Sequence, residues 1–297
     1  MTYKILRKNQ LGLSGTLFEM ELETPLIAKK AFAGNFILIR IDEKGERFPL
    51  TIADYDRDKG TITIVLLVVG KSTKKLSLME VGERLLDVVG PLGNRIHVEK
   101  YEHPVIIIGG GVGIAPCYPQ VKEYREAGNE VITILGGRSK DLLFWRDKFA
   151  AVSDRLIITT NDGSEGIKGF TTEPLRDILM SEEVSLVIAI GPLLMMKNVV
   201  LLTNGEGDLP WVKTFVSLNT IMVDGTGMCG GCRFPTKQGD MHFACVDGPD
   251  VDGHIVDFDT LITRSIRYTT QEKISMDRFN EECRSLKSIQ ERTQNPL

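Results

Sequence analysis

The spacing of apolar residues changes character once along this chain, at Glu102, and that change calls for two different kinds of sheet. Before it, Leu17–Glu23 (LFEMELE) and Phe36–Ile41 (FILIRI) alternate with period two, and Thr61–Val69 (TITIVLLVV) is a continuous β-branched run like a central strand. Glycines at 34, 45, 60, 70, 82, 90 and 93 punctuate these runs. Short strands with regular turn signals predict a small antiparallel β-barrel over residues 1–100. After Glu102, strand patterns at Pro104–Ile108, Val131–Leu135, Arg155–Thr160 and Ser185–Ile190 alternate with helical ones near Cys117–Ala127, Asp141–Ala150 and Thr172–Met180. Such alternation predicts a doubly wound α/β domain with a parallel sheet over residues 101–217. Residues 218–260 have few apolar runs and read as an irregular module organised by a metal. Residues 261–297 predict a helical tail, with a helix near Met276–Glu291 capped by Ser275 and with Ile274 stapled onto Phe279. Phe279, Cys283, Leu286 and Ile289 then share a face that docks on the chain's own body or on a partner subunit.

Composition narrows the function classes. The chain has 297 residues, 42% hydrophobic and 26% charged, with a formal net charge of −4 and no long charge run. That balance argues against a nucleic-acid surface and against a polybasic membrane patch. The longest apolar run, Ile64–Val69, is far too short to span a bilayer, and the start MTYKILRKNQ has no signal-peptide core. A reducing, cytoplasmic setting is expected, in which the five cysteines are ligands or free thiols rather than disulfides.

Three of those cysteines lie in Met222–Val246 (MVDGTGMCGGCRFPTKQGDMHFACV), where Asp224, Cys229, Cys232 and Cys245 are spaced Asp-x4-Cys-x2-Cys-x12-Cys. Thiolates grouped in this way hold a metal or an iron–sulfur cluster. A structural zinc on three cysteines and a carboxylate is the alternative, and Asp240 and Asp247 are rival oxygen donors. Upstream, Gly109–Pro116 (GGGVGIAP) follows a buried strand and precedes a helix. There, Gly110, Gly111, Val112 and Gly113 let the backbone approach a pyrophosphate. Gly191, Pro192 and Met195 belong to GPLLMM, after the last strand of that domain. The strand from Val131 ends in Arg138 and Ser139, a pair able to take a ribose 2′-phosphate. In the barrel, Arg47–Thr51 (RFPLT) joins a phosphate-gripping arginine to an extended segment, Pro49 and Leu50, ending in a hydroxyl at Thr51. Val69 leads into Gly70, Lys71, Ser72 and Thr73 (GKST), and Gly90 and Pro91 open GPLGN. Cys117 reads as a packing residue, and the histidines at 97, 103, 242 and 254 lack metal-ligand spacing.

Together these pieces resemble the ferredoxin–NADP reductase superfamily. RFPLT is similar to its flavin-binding Arg-x-(Tyr or Pro)-x-(Ser or Thr) motif. GKST and GPLGN resemble its pyrophosphate and post-barrel segments, GGGVGIAP its nicotinamide-nucleotide loop, and GPLLMM its late Gly-Pro motif. A cysteine loop after the nucleotide domain resembles the branch of dihydroorotate dehydrogenase electron-transfer subunits, with Asp224 where that branch has its first cluster cysteine. This departure resembles the small subunits of NADH-dependent reduced ferredoxin:NADP oxidoreductases. The resemblance implies FAD in the barrel and NAD(H) in the second domain, with NADP(H) the alternative. It also implies a 2Fe–2S cluster on Asp224, Cys229, Cys232 and Cys245, and a heterodimer with a larger subunit carrying another flavin and further iron–sulfur clusters. That subunit would connect the chain indirectly to ferredoxin. Electron-transfer subunits of dihydroorotate dehydrogenase or of a hydrogenase are the neighbouring alternatives. Because an ionised aspartate keeps the negative charge that neutral histidines remove, no Rieske-like rise in cluster potential is expected.

Overall fold

The structure is a computed structural model that describes the backbone of residues 3–294 and the side chains of residues 3–284. Its first sheet has seven antiparallel strands in the order Arg84–Leu85, Tyr3–Leu11, Leu17–Glu23, Thr61–Leu67, Arg47–Asp56, Phe36–Arg40 and Asp87–Leu92. The two edge strands are consecutive in the chain, so the sheet curls until its edges approach and leaves a nearly closed barrel. Ile5, Met20, Leu22, Ile37, Ile39, Ile62 and Ile64 fill the interior, each fully buried.

The second sheet runs Ile167–Lys168, Arg155–Thr160, Val131–Gly137, Val105–Gly110, Leu186–Ile190, Thr214–Ser217 and Asp250–Asp252. Every pairing is parallel except the last. Period two divides its side chains between two cores. Ile106, Ile108, Ile132 and Ile134 pack with the helices Thr172–Ser181 and Leu193–Leu202. Val105, Ile107, Val131 and Leu135 pack with Ile114–Glu126 and Arg146–Val152. Helices on both faces make the sheet doubly wound.

The differences from expectation have local causes. The helix expected over Asp141–Ala150 is a 3-10 turn, Lys140–Leu142, followed by a shorter helix, Arg146–Val152. Trp145 breaks the run at φ +57°, and its indole donates to Glu19 Oε2 of the barrel at 2.7 Å. The strands Thr214–Ser217 and Asp250–Asp252 are too short to show a period, and they make the cysteine segment an excursion between two neighbouring strands of one sheet. That segment also carries a hairpin, Arg233–Pro235 with Met241–Phe243, and the helical turn Ala244–Asp247. Beyond it, Asp257 caps the helix Phe258–Ser265 by accepting from Thr260 N at 3.0 Å. The last helix spans Thr269–Gln294, so Ser275 lies inside it instead of capping it. The good helix formers Gln271, Glu272 and Lys273 carry the helix upstream. The side chains of Leu286 and Ile289 lie outside the described residues. Among the described residues no helix is long and apolar enough to cross a membrane.

Candidate cofactor sites and the seam between them

Strand geometry arranges RFPLT. Successive side chains alternate faces, so Arg47, Pro49, Thr51 and Ala53 share one face, while Phe48, Leu50 and Ile52 turn to the barrel core. The outer face ends at Ala53, which is fully buried in the core of the second sheet beside Ile114. Thr51 is therefore the last polar residue before the junction of barrel and nucleotide sheet. At the open end, the Arg47 guanidinium lies 3.4 Å from Asp87. Leu38 pairs with Pro49, and Phe36 with Thr51, so both extend this same face.

GKST is the first turn of the helix Lys71–Leu78. Thr73 Oγ1 accepts from the amides of Val69 and Gly70 at 3.1 Å each and donates to Gly70 O at 3.0 Å. Ser72 donates to Glu46. Both hydroxyls thus serve the loop itself. What this turn offers an anion is the start of the helix and the exposed Lys71. Val69 is exposed beside it.

GGGVGIAP and GPLLMM meet. Ile190 pairs with Gly109 across adjacent parallel strands, and a 3-10 turn, Gly111–Gly113, leads into the helix Ile114–Glu126. A Cβ at Gly113 would stand 2.3 Å from Ile190 O, and one at Gly110 would stand 2.4 Å from Met195 Sδ. Gly111 has φ +58°. Glycine suits the left-handed backbone at Gly111 and the close approach of Gly113 to Ile190 and Gly191. The turn also touches the barrel strand Thr61–Leu67, and the helix after it packs on the strand Arg47–Asp56. Val112 and Arg138 are exposed at this end of the sheet. Cys117 is fully buried, donates to Gly113 O at 3.2 Å, and has its thiol pushed well up by burial.

The cysteine loop is a tighter structure than its sequence suggests. Cys232 and Cys245 are buried with their sulfurs 3.1 Å apart, and both are free thiols. Burial, then the neighbouring Cys232, pushes the Cys245 thiol up to about 12. Cys229 is exposed, and its sulfur accepts from Gly231 N at 3.4 Å. Asp224 accepts from the amides of Thr226 at 2.8 Å and Cys229 at 2.6 Å, bonds that hold its carboxyl below the usual range. Among the described residues no three histidine, cysteine or acidic side chains converge as a single-ion site. Of the rival donors, Asp247 accepts from Phe243 N at 2.6 Å, and the backbone amide of Asp240 donates to Thr236 Oγ1 at 3.1 Å.

The loop rests on the barrel through Leu38, which no sequence motif marked, and through Leu92 of GPLGN. A Cβ at Gly225 would stand 2.6 Å from Leu92 and 3.1 Å from Leu38. GPLGN supplies the rest of the seat. Asn94 N donates to Gly248 O at 2.7 Å, Asn94 Nδ2 donates to Val246 O at 2.8 Å, and Gly93 packs on Pro249. Gly90 and Pro91 carry the strand that delivers this segment. RFPLT, the glycine turn and the cysteine loop thus border one seam. Asp250 sits at its far end, its carboxyl pushed up to about 6 by burial, with Gln120 Nε2 3.4 Å away.

Residues 219–257 match the iron-sulfur cluster binding domain of dihydroorotate dehydrogenase B. A Thermotoga maritima dihydroorotate dehydrogenase B (NAD(+)) electron transfer subunit homolog is 47% identical over 270 residues, 91% of this chain and 93% of that protein. The Fusobacterium nucleatum electron transfer subunit is 31% identical over 242 residues, 78% of this chain and 89% of its own. A solved NADH-dependent reduced ferredoxin-NADP oxidoreductase, described for flavin-based electron bifurcation, superposes with TM-score 0.86 at 44% identity, covering 94% of this chain and 98% of that one. A Neisseria gonorrhoeae ferredoxin NADP+ reductase, 18% identical with TM-score 0.57 over 73% of this chain and 98% of its own, shares the fold alone. The chain belongs to the family of dihydroorotate dehydrogenase B electron-transfer subunits, oxidoreductase subunits built on the ferredoxin–NADP reductase fold.

Proposed function

We propose that this chain is the small subunit of a ferredoxin:NADP oxidoreductase, passing electrons between NAD(H) and a larger partner subunit. The observation that carries the reading is the shared seam, on which three motif sets from separate parts of the sequence come together. FAD would lie along the outer face of Arg47, Pro49 and Thr51, with Lys71 and the helix start beside its phosphates and Gly90–Pro91 beneath. NAD(H) would lie on Gly110–Gly113 against Gly191, Pro192 and Met195, and the exposed Arg138 keeps NADP(H) in contention as the ligand. A 2Fe–2S cluster would be held by Asp224, Cys229, Cys232 and Cys245.

The donor set suits that cluster: Cys232 and Cys245 already stand as a pair, and Cys229 and Asp224 share the same loop. Cofactors of this kind exchange a two-electron nicotinamide couple for single electrons. The protein's part is to place them and to exclude water between them. Gly113 presses the nucleotide turn onto the sheet, Thr51 offers a hydroxyl at the junction, and Leu38 and Leu92 keep the contact between barrel and cysteine loop apolar. The partner would be a larger subunit with its own flavin and iron–sulfur clusters, linked in turn to ferredoxin. Free cysteines throughout suit a reducing cytoplasm.

Anaerobic co-purification with the partner, followed by absorbance, electron paramagnetic resonance and metal analysis, tests the reading. One FAD and one 2Fe–2S cluster per small subunit are expected. A colourless chain holding one zinc would overturn it, and a strong NADPH preference on the isolated subunit would reassign the nucleotide.

A further inference from the structure

The C-terminal helix Thr269–Gln294 crosses the helix Lys71–Leu78 on the outside of the barrel, and two adjoining cavities lie under the crossing. The larger, about 430 Å³, is walled by Lys71 on one side and by Ser275, Arg278 and Phe279 on the other. The smaller, about 200 Å³, runs from Phe279 past Ser72 to Gly45 and Glu46, the residues directly before Arg47. Lys71, Phe279 and Glu282 line both. The two make one trough that starts beside the arginine of RFPLT and ends beneath the last helix.

The lining is what a nucleotide needs. Among the described residues neither Lys71 nor Arg278 forms an ion pair, whereas Lys75 nearby is held by Asp42. Phe279 is half-buried and lines both cavities, and no other ring packs on it among the described residues. Glu282 offers an acceptor to an exocyclic amine. The volume falls within the range of small-ligand sites. The helix gains little from its own contacts, because Ser275, Met276, Phe279, Asn280 and Cys283 are its least exposed described side chains and are still only half-buried.

We propose that the C-terminal helix is an adenylate clamp. It closes over the adenosine half of the flavin dinucleotide, with Phe279 stacked on the adenine and Arg278 and Lys71 beside the phosphates. The proposal rests on the reading of the barrel as an FAD site and adds a part of the chain that no motif assigned to it. It predicts a preference for the dinucleotide over the mononucleotide that resides in this helix.

The test compares FAD with FMN, which lacks the adenylate, on deflavinated full-length protein by fluorescence titration. Phe279→Ala should weaken FAD roughly tenfold, in the lower part of what base–aromatic stacking contributes, and leave FMN unchanged. Phe279→Trp should restore FAD binding, and Arg278→Ala should weaken FAD more than FMN, which keeps only one of the two phosphates. Equal FAD affinity in wild type and Phe279→Ala would overturn the clamp, as would a parallel loss of FAD and FMN, which marks a general folding effect. Wild-type protein that binds neither flavin would instead overturn the barrel reading itself.

Discussion

The glycine turn and the cysteine loop are both glycine-rich ligand loops, yet they are held in opposite ways. In the turn, a Cβ at Gly113 would meet only backbone, Ile190 O at 2.3 Å and Gly191 Cα at 2.8 Å. In the loop, a Cβ at Gly225 would meet the ends of two leucine side chains, and Gly225, Gly227 and Gly230 are all at positive φ. The turn is shaped by the parallel sheet beneath it, while the loop is shaped by its own polar bonds and by what it holds. Rigid placement suits a ligand that comes and goes, whereas a resident cluster can complete its own cradle.

The largest expected effect tests the rigid side. Gly113→Ala forces the turn off the end of the strand Leu186–Ile190 and should cost about 3 kcal/mol, since backbone cannot yield as a side chain does. Calorimetry should show a lowered Tm together with loss of nicotinamide-nucleotide binding. A variant that binds the nucleotide normally would show that the turn is as adaptable as the loop.

Next comes the buried carboxyl that ties the two regions together. Asp250 is pushed up to about 6, from 3.8, chiefly by desolvation, and its Oδ1 has no partner among the described residues. Gln120, Tyr124 and Cys117 face it from the helix after the glycine turn, and Ser217 faces it from the neighbouring strand. The folded state therefore holds this proton to higher pH than the unfolded chain does. This group's contribution to stability is greatest below about pH 4 and falls by about 3 kcal/mol as pH rises to about 6, then levels. Asp250→Asn should flatten that slope in Tm against pH and raise stability at neutral pH. An unchanged slope would place the proton elsewhere.

On the adaptable side the effects are smaller. Gly225→Ala should cost about 1 to 2 kcal/mol from its left-handed backbone, with Leu92 shifting aside. Cluster content, read by iron analysis, should survive. If Gly225→Ala abolished the cluster while Gly113→Ala spared the nucleotide, the contrast between the two loops would be inverted.

These two regions also differ in how legible they were. The strand Arg155–Thr160 matches its sequence pattern because a β-branched run in a parallel sheet needs no context. The meeting of GGGVGIAP with GPLLMM follows from topology, since ligand loops gather at the carboxyl ends of neighbouring strands. The helix Leu193–Leu202 was hidden because LLMMKNVVLL is apolar on every side and shows no helical period. Thr214–Ser217 and Asp250–Asp252 were hidden because strands of four and three residues are stabilised by the sheet edge they join, not by their own pattern. Leu38 looked like an ordinary barrel residue, and Leu92 was marked only as part of GPLGN. Their second role, seating the cysteine loop, depends on a packing partner more than a hundred residues away, and no local signal encodes it.

Asp224 is where the two modes of support can be separated most finely. Its carboxylate already holds the loop by accepting from two backbone amides, so a structural role is satisfied without any metal. Without the cluster, Asp224→Ala should cost no more than about 1 to 2 kcal/mol of local stability, the usual worth of such bonds, seen as faster hydrogen exchange at Thr226 and Cys229. With the cluster, a ligand role demands more. Asp224→Cys should keep a 2Fe–2S cluster with shifted absorbance and resonance spectra, and Asp224→Ala should lose cluster. The wild-type potential should show no Rieske-like rise, because carboxylate and thiolate each bring one negative charge where neutral imidazoles bring none. Unaltered spectra and iron content in Asp224→Ala would reduce Asp224 to a turn residue. The exchange rates would still move in that case, so the two measurements together separate a carboxylate that shapes the loop from one that also binds its metal.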